Sequence, residues 1–429
     1  MSRITWTLGL VLLLTAAAPA RAATLVSETT WGGAASEVVG DTAVASDGST
    51  YVAGFTTSFG TSAPTIFVVK FAADGSLTWQ RTWEGPVQFG TDQANDVAIA
   101  ADGSVYVTGS TQGVGGDAVL LNLSPDGALL WQRRWGGTGS ESGEAVAVAG
   151  DGSIYVVGGT SSFGSHMFVL KFASDGTLAW QRIREGGTAQ GVAVRSDGTL
   201  AVAGVAGRAG VPGEFDVVVL TLTDAGALVW QRAYSAAEVA DARGGVAVGA
   251  DGSIHVAGAI QDSQRKVIVD ALLVKFTSDG NLVWDRVWGG RSGDVSGGVA
   301  VAADGTTLWS GDSNSYGAGS DDAFLLHMSA DGKALDSNTW GGTGIDHGDG
   351  VAVGPTGTIS LAATAETAPF SFLGAPTKTS RPRGTVTTPT TPLADASGAV
   401  TDPGGTLAVP AGTSPGPGQF DAALVRIAP

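Results

Sequence analysis

Short bursts of alternating apolar and polar residues, each broken by an Asp-Gly-type turn, run along almost the whole chain and predict β-strands throughout. The segments AVASDGSTYVAG, VAIAADGSVYVTG, VAVAGDGSIYVVG, VAVRSDGTLAVAG, VAVGADGSIHVAG, VAVAADGTTLWSG and VAVGPTGTISLAA recur, with turn glycines at Gly48, Gly103, Gly152, Gly198, Gly252, Gly305 and Gly357. A second element of the same kind follows each of the first six: VVKFAADGSLTWQ, LLNLSPDGALLWQ, VLKFASDGTLAWQ, VLTLTDAGALVWQ, LVKFTSDGNLVWD and LLHMSADGKALDS. Asp-Gly between apolar alternation is a hairpin signal, because glycine accepts the positive φ of a tight turn. Two hairpins give four strands per repeat, here called A, B, C and D. In the second repeat they are expected near residues 97–100, 104–109, 119–123 and 129–135. No stretch keeps a helical period. Four-stranded units of about fifty residues are the pattern of β-propeller blades.

The tryptophans follow the repeat. Trp79, Trp131, Trp180, Trp230 and Trp284 lie four residues after the C–D turn glycine, and Trp83, Trp135, Trp288 and Trp340 lie eight after it. Trp31 matches the second position, and Tyr234 holds it in the fourth repeat. The even spacing puts both rings on one face of strand D, which predicts packing between blades. The chain ends in FDAALVRIAP, a C strand with no D, and SETTWGG near its start is the end of a D strand with no C. The N-terminal strand is therefore expected to complete the last blade and close the ring, which removes two exposed edges. Seven A–B hairpins and seven C strands favour seven blades. Residues 364–419 then form a proline-rich insertion in the last blade. That stretch is about one repeat long and contains LADASGAV and DPGGTLAV, so an eroded eighth blade is the alternative.

Composition adds three constraints. The formal charge is −17 in 429 residues, a surface that repels nucleic acid and anionic lipid. Residues 1–22 have the plan of a signal peptide: Arg3, an apolar run centred on LGLVLLL, and Ala20-Arg21-Ala22 as the cleavage site. The propeller is then residues 23–429, with no membrane span after cleavage and a secreted, periplasmic or cell-surface destination. With no cysteine in the chain, disulfides, thiolate metal sites and a cysteine nucleophile are excluded.

The pattern AVxxDGxxYVxG followed by DAFVxKxxxxGxLxWxxxxGG resembles the SBBP family of bacterial β-propeller repeats. The likeness covers the chain to about residue 363 and returns at residues 420–427. It implies an exported or surface-associated bacterial propeller and names no activity. Asp336 departs from it at the first tryptophan of the sixth repeat, and Arg184 at the second tryptophan of the third. The string DGxLxWQ is also similar to blade repeats of quinoprotein dehydrogenases and of the propeller scaffold used in outer-membrane assembly. The chain is short for the dehydrogenases and lacks their adjacent cysteine pair.

Candidate chemistry is sparse. His166, His255, His327 and His347 fall at different repeat positions, with no ligand spacing among them. The recurrent Asp117, Asp216, Asp270, Asp322 and Asp421, and Arg81, Arg133, Arg182, Arg232 and Arg286, obey the repeat, so they are expected to pair strands and blades. Asp41, Asn95-Asp96, Glu144, Gln190 and Asp349 precede strand A. If A is innermost, they ring one mouth of the central channel. Asp41, Asp96, Glu144 and Asp349 are thus the metal candidates, for a hard cation such as calcium. Phe59, Phe89, Phe163 and Tyr316 are the ligand-stacking candidates. There is no G-x-S-x-G, phosphate loop or HExxH. The expectation is a monomeric binding or interaction scaffold, not an enzyme, that needs no cofactor and takes a protein or a polysaccharide. The alternatives are a glycan-cleaving or quinone-dependent enzyme, or a purely structural surface protein.

Overall fold

The computed structural model describes residues 23–60, 64–87, 90–112, 115–236, 240–261, 269–366, 369–382, 384–410 and 420–428. Each DG turn folds as its sequence demands. In the second repeat Gly103 takes φ 84°, its N–H donates to Ala100 O at 2.9 Å, and Asp102 accepts from the Ser104 N–H at 2.9 Å. The strands on either side alternate, yet B and C are buried on both faces: Val105–Thr111 and Asp117–Leu123 are almost wholly enclosed. That is the burial of a sheet sandwiched between two others.

Seven antiparallel sheets result, each ordered A-B-C-D from the centre outward. Blade 1 is Glu37–Val44, Thr50–Thr56, Thr65–Phe71 and Leu77–Glu84. The seventh combines Asp346–Val353, Ile359–Ala365, the C-terminal Asp421–Ala428 and the N-terminal Thr24–Trp31. Trp31 faces Ala422 and Thr24 faces Ala428 in the register, so the expected closure is present. No helix occurs among the described residues, and so none is long and apolar enough to cross a membrane.

Strand D latches blades 1 to 5 each to the next. Trp79 donates its indole N–H to Pro125 O at 2.9 Å, in the C–D turn of blade 2. Arg81 lies over the Trp79 ring at 5.3 Å, and its Nε donates to Gly127 O at 2.8 Å. The Trp131–Arg133 pair repeats the latch on Ser174 and Gly176, and Trp284–Arg286 repeats it on Ala330 and Gly332. The second tryptophan is deeper. Trp83 is 1 % exposed and donates to Gln132 Oε1 of the next blade at 2.8 Å.

Residues 364–419 form no eighth blade. The described part of this stretch runs around the outside of the ring against the order of the blades. Ser371–Gly374 pairs with strand D of blade 6, Ser380 bridges Val287 of blade 5, and Thr385–Thr387 pairs with blade 4. Leu393–Asp395, Ala399–Thr401 and Thr406–Ala408 then add a fifth strand to blades 3, 2 and 1. The chain returns to blade 7 as its C strand. This belt is gripped by the glutamine that follows the first tryptophan. Gln80 Nε2 donates to Pro410 O at 3.1 Å, Gln132 Nε2 to Asp402 Oδ1 at 2.9 Å, and Gln231 Nε2 to Thr391 O at 2.8 Å. A Cβ on Gly405 would lie 2.2 Å from the Trp83 ring, so only glycine lets the belt lie flat there.

Candidate functional site

The innermost strands begin earlier than the repeat suggested. Strand A starts at Glu37, Gln93, Glu141, Thr188, Asp294 and Asp346, so Asp41, Asp96, Glu144, Gln190 and Asp349 lie within strands and not in the loops before them. Each of these strands carries a β-bulge at this level. The register shifts between Val39 and Asp41, Ala94 and Asp96, Gly143 and Ala145, and Gly348 and Gly350. Bulges re-aim side chains, and here they turn the polar residues into the channel. Asp41, Asn95, Asp96, Glu144, Gln190 and Arg243 line one cavity of about 180 Å³.

The acids in this ring are heavily engaged. Asp96 accepts from its neighbour Val97 N–H at 2.6 Å and from Val146 N–H of the next blade at 2.7 Å. Burial nevertheless pushes its carboxyl up to about 7, against the pull of those two amides. Asp41 hydrogen-bonds Asp96, and burial together with the Asp96 charge raises it well above the carboxylate range. Two carboxyls in direct hydrogen bond share one proton, and Asp41 Oδ1 accepts from Thr42 N–H at 2.6 Å. A Cβ on Gly350 would sit 2.0 Å from Asp41 Oδ1, which shows how closely the seventh blade approaches. Burial, and then the Asp312 charge, raise Asp349, which accepts from the Thr364 hydroxyl at 2.7 Å. Burial raises Glu144, with Arg243 acting in the opposite sense. His347 pairs with Asp312 at 3.1 Å, and that hydrogen bond carries its imidazole up to about 9.

The four acids named as metal candidates thus share the channel wall, but their oxygens are spent on one another and on N–H and O–H donors. Among the described residues no group of three or more His, Cys, Asp or Glu side chains is arranged to hold a metal ion. The histidines do not converge. His255 is sealed between Ser253 and Thr307, and burial pushes it down to about 3.

The aromatic candidates are placed elsewhere. Phe59 packs on Trp31 at 5.5 Å, Phe163 on Trp135 at 6.0 Å and Tyr316 on Trp288 at 5.3 Å, each half-buried against the second tryptophan of strand D. Tyr316 also donates its hydroxyl to Gly289 O at 3.2 Å. Phe89 lies outside the described residues.

One set of acids escapes the sequence reading. Glu37, Asp92, Glu141, Asp294 and Asp346 are buried near the start of strand A. Glu141 accepts from Gly137 N–H at 2.9 Å and from the Thr160 hydroxyl at 2.7 Å, and Asp294 makes the same bonds to Gly290 and Ser313. These carboxylates tie the glycine pair after strand D to the end of strand B. The available signal was an acid four residues after each WGG, obscured by the Asp/Glu alternation and by departures in the second, fourth and fifth repeats.

On the face that carries the B–C and D–A loops, a groove of about 600 Å³ crosses blades 2 to 4. Thr91, Ser110, Gln112, Ser140, Ser142 and Thr188 line it beside Glu144, so it runs up to the channel wall.

No family model matches the chain, and no curated protein matches it. Solved structures do. The chain is similar to the WD40 domain of Pan2 from Neurospora crassa, with TM-score 0.51 and 11 % identity over 84 % of this chain and 98 % of that one. A protein of unknown function from Dyadobacter fermentans matches with TM-score 0.47 and 12 % identity, over 95 % and 99 % of the two chains. The propeller domain of the Trilobed protease of Pyrococcus furiosus matches with TM-score 0.43 and 9 % identity, over 81 % and 98 %. At such identity the first of these supports the propeller fold and nothing finer.

Proposed function

We propose that this chain is an exported, SBBP-type propeller that acts as a monomeric, non-catalytic binding scaffold, with a cell-surface polysaccharide as the favoured ligand. The observation that carries the reading is the groove across blades 2 to 4, whose lining of hydroxyls and an amide suits a polyhydroxylated chain better than an apolar protein hot spot. It lies on the loop face of a rigid scaffold, where binding function usually resides. The Asp41–Asp96 pair gives little support to glycan cleavage. Its carboxyls are in direct hydrogen bond, closer than the ~5 Å that a retaining glycosidase needs.

The test is a thermal-melt screen against bacterial and plant glycans, with calcium, EDTA and a quinone cofactor in the same panel. Ligand at a hundred times its Kd adds about 2.7 kcal/mol to the native state. A glycan that raises the midpoint of the parent but not of Ser161→Trp, at the groove rim, supports the proposal. A shift with the quinone alone refutes it in favour of an oxidoreductase. A glycan shift unchanged by Ser161→Trp removes the groove from the argument.

A further inference from the structure

The groove across blades 2 to 4 is chemically one-sided. Among the described residues, its lining holds no Lys, Arg or His, no aromatic ring and no purely aliphatic side chain. Hydroxyls, the Gln112 amide and the backbone of four glycines make up its walls, and its only charged groups are Glu141 and Glu144. Each absence narrows the ligand. A uronate, sulfate or phosphate would meet no cation there, in a chain of net charge −17. The methyl of an N-acetyl group would meet no apolar wall. No ring is present for a sugar face to stack on. Selection among glycans therefore falls to hydrogen bonds and to the two carboxylates.

The two carboxylates differ in what they have left to offer. Glu141 is 2 % exposed and already accepts from the Gly137 N–H, the Thr160 hydroxyl and the Ser162 N–H at 2.9, 2.7 and 3.1 Å. Glu144 is half-buried and lines both the groove and the channel cavity. The Ser142 hydroxyl is hydrogen-bonded to it, and Ser142 Oγ in turn accepts from Asn95 Nδ2 at 3.1 Å, so the carboxylate is held in place. A carboxylate offers about four lone-pair sites, and the Ser142 bond leaves acceptor capacity toward the groove. The cation that acts on Glu144, Arg243, lines the channel side and not the groove. Burial raises the Glu144 carboxyl, so a cation on the groove side would relieve an ionised group that the protein leaves under-compensated.

We propose that the groove selects glycans with free amines, of the glucosamine type, and that the Glu144 carboxylate receives the ammonium at the channel end of the groove. The proposal rests on the reading of the groove as a glycan site and adds the class of sugar. The remaining hydroxyls of such a sugar would be met by the Ser, Thr and Gln side chains along the walls.

The full chain is titrated by calorimetry with the tetramer of glucosamine, its fully N-acetylated counterpart and the tetramer of galacturonate, in weakly acidic buffer that keeps the sugar amine protonated. The free-amine tetramer is expected to bind roughly 10-fold or more tightly than the acetylated one, the effect of one hydrogen bond to a charged group. The uronate should not bind. Glu144→Gln should bring the free-amine tetramer down to the affinity of the acetylated one, and Ser161→Trp should abolish both. The comparison of the three tetramers on the parent chain stands even if a variant fails to fold. Equal affinity for the two amino-sugar tetramers, lost in Ser161→Trp, would overturn the amine selection and leave the groove as a glycan site. A free-amine preference that survives Glu144→Gln or Ser161→Trp would overturn it too, as would tighter binding of the uronate. No binding of any of the three would overturn it as well, and the wider glycan screen then decides the groove reading by itself.

Discussion

Raising the pH from 5 to 8 should destabilise the protein through its central ring. Asp96 titrates near 7 in the folded chain and near 3.8 when unfolded, so the folded state holds the proton more tightly. The stability it contributes is fully present below pH 3.8 and is lost as the pH rises toward 7. Between pH 5 and pH 7 the loss from this group is about 2–3 kcal/mol, at 1.36 kcal/mol per unit until the group is half ionised at pH 7. Asp41, Asp349 and Glu144 are raised as well and act in the same direction. A 429-residue chain unfolds with an entropy of about 0.9 kcal/mol/K, so Asp96 alone lowers the midpoint by about 3 °C. The turn aspartates Asp47 and Asp197 are held below their ordinary value by hydrogen bonds from the residue two further on, and they reverse the trend below pH 4. Maximum stability is therefore expected in weak acid. The assay is calorimetry from pH 4 to pH 9 on the parent and on Asp41→Asn. The asparagine keeps a donor to Asp96 and an acceptor for Thr42 N–H without an ionisable proton, so the variant should gain at pH 8 relative to pH 5. A parent midpoint that stays flat or rises from pH 5 to pH 8 would refute the reasoning.

The belt and the closure give further predictions. Gln132→Leu strips the Trp83 indole of its acceptor and the belt of its donor, and should cost about 1–3 kcal/mol. A double-mutant cycle with Trp83→Phe should show coupling, because the two side chains share one bond. Gly405→Val should lift the belt from Trp83 and create a new cleavage site near residue 405 in limited proteolysis, with the far-UV circular dichroism of the ring unchanged. Deleting residues 24–31 removes strand D of blade 7 and the Glu28 carboxylate that accepts from Trp340 at 3.0 Å. The exposed C-strand edge should then drive association, visible as early elution in size-exclusion chromatography.

The hairpins, the tryptophan face and the closing strand were legible in the sequence because each rests on a local signal repeated several times. The belt was not. Its strands are three or four residues long, such as Thr385–Thr387 and Leu393–Asp395, too short for alternation to show. Its partners are the outer edges of blades far away in sequence. The glutamine of WQ was plainly repeated in the first four blades, but its second bond goes to the belt, so nothing near it revealed the role. The channel acids were found as residues and misplaced as loops, because a bulge adds a residue without altering composition. The clamp formed by Glu141 and its counterparts was hidden for a different reason. A buried acid beside glycine looks the same in sequence as a solvated one.

The order in which this chain can assemble follows from the belt. During synthesis blades 1 to 6 emerge in sequence, and each can pair its own four strands from nearby residues. Their outer edges stay uncovered until residues 371–408 appear, and the ring cannot close until the last eight described residues reach Thr24–Trp31. Such pairings from opposite ends of the chain form slowly. The nascent protein therefore spends most of its production time as a row of open sheets, prone to joining other copies. The same late segment covers the edges of blades 1 to 6 and supplies the strand that closes blade 7. A premature stop anywhere between residues 371 and 421 should thus yield aggregate instead of a slightly shorter propeller.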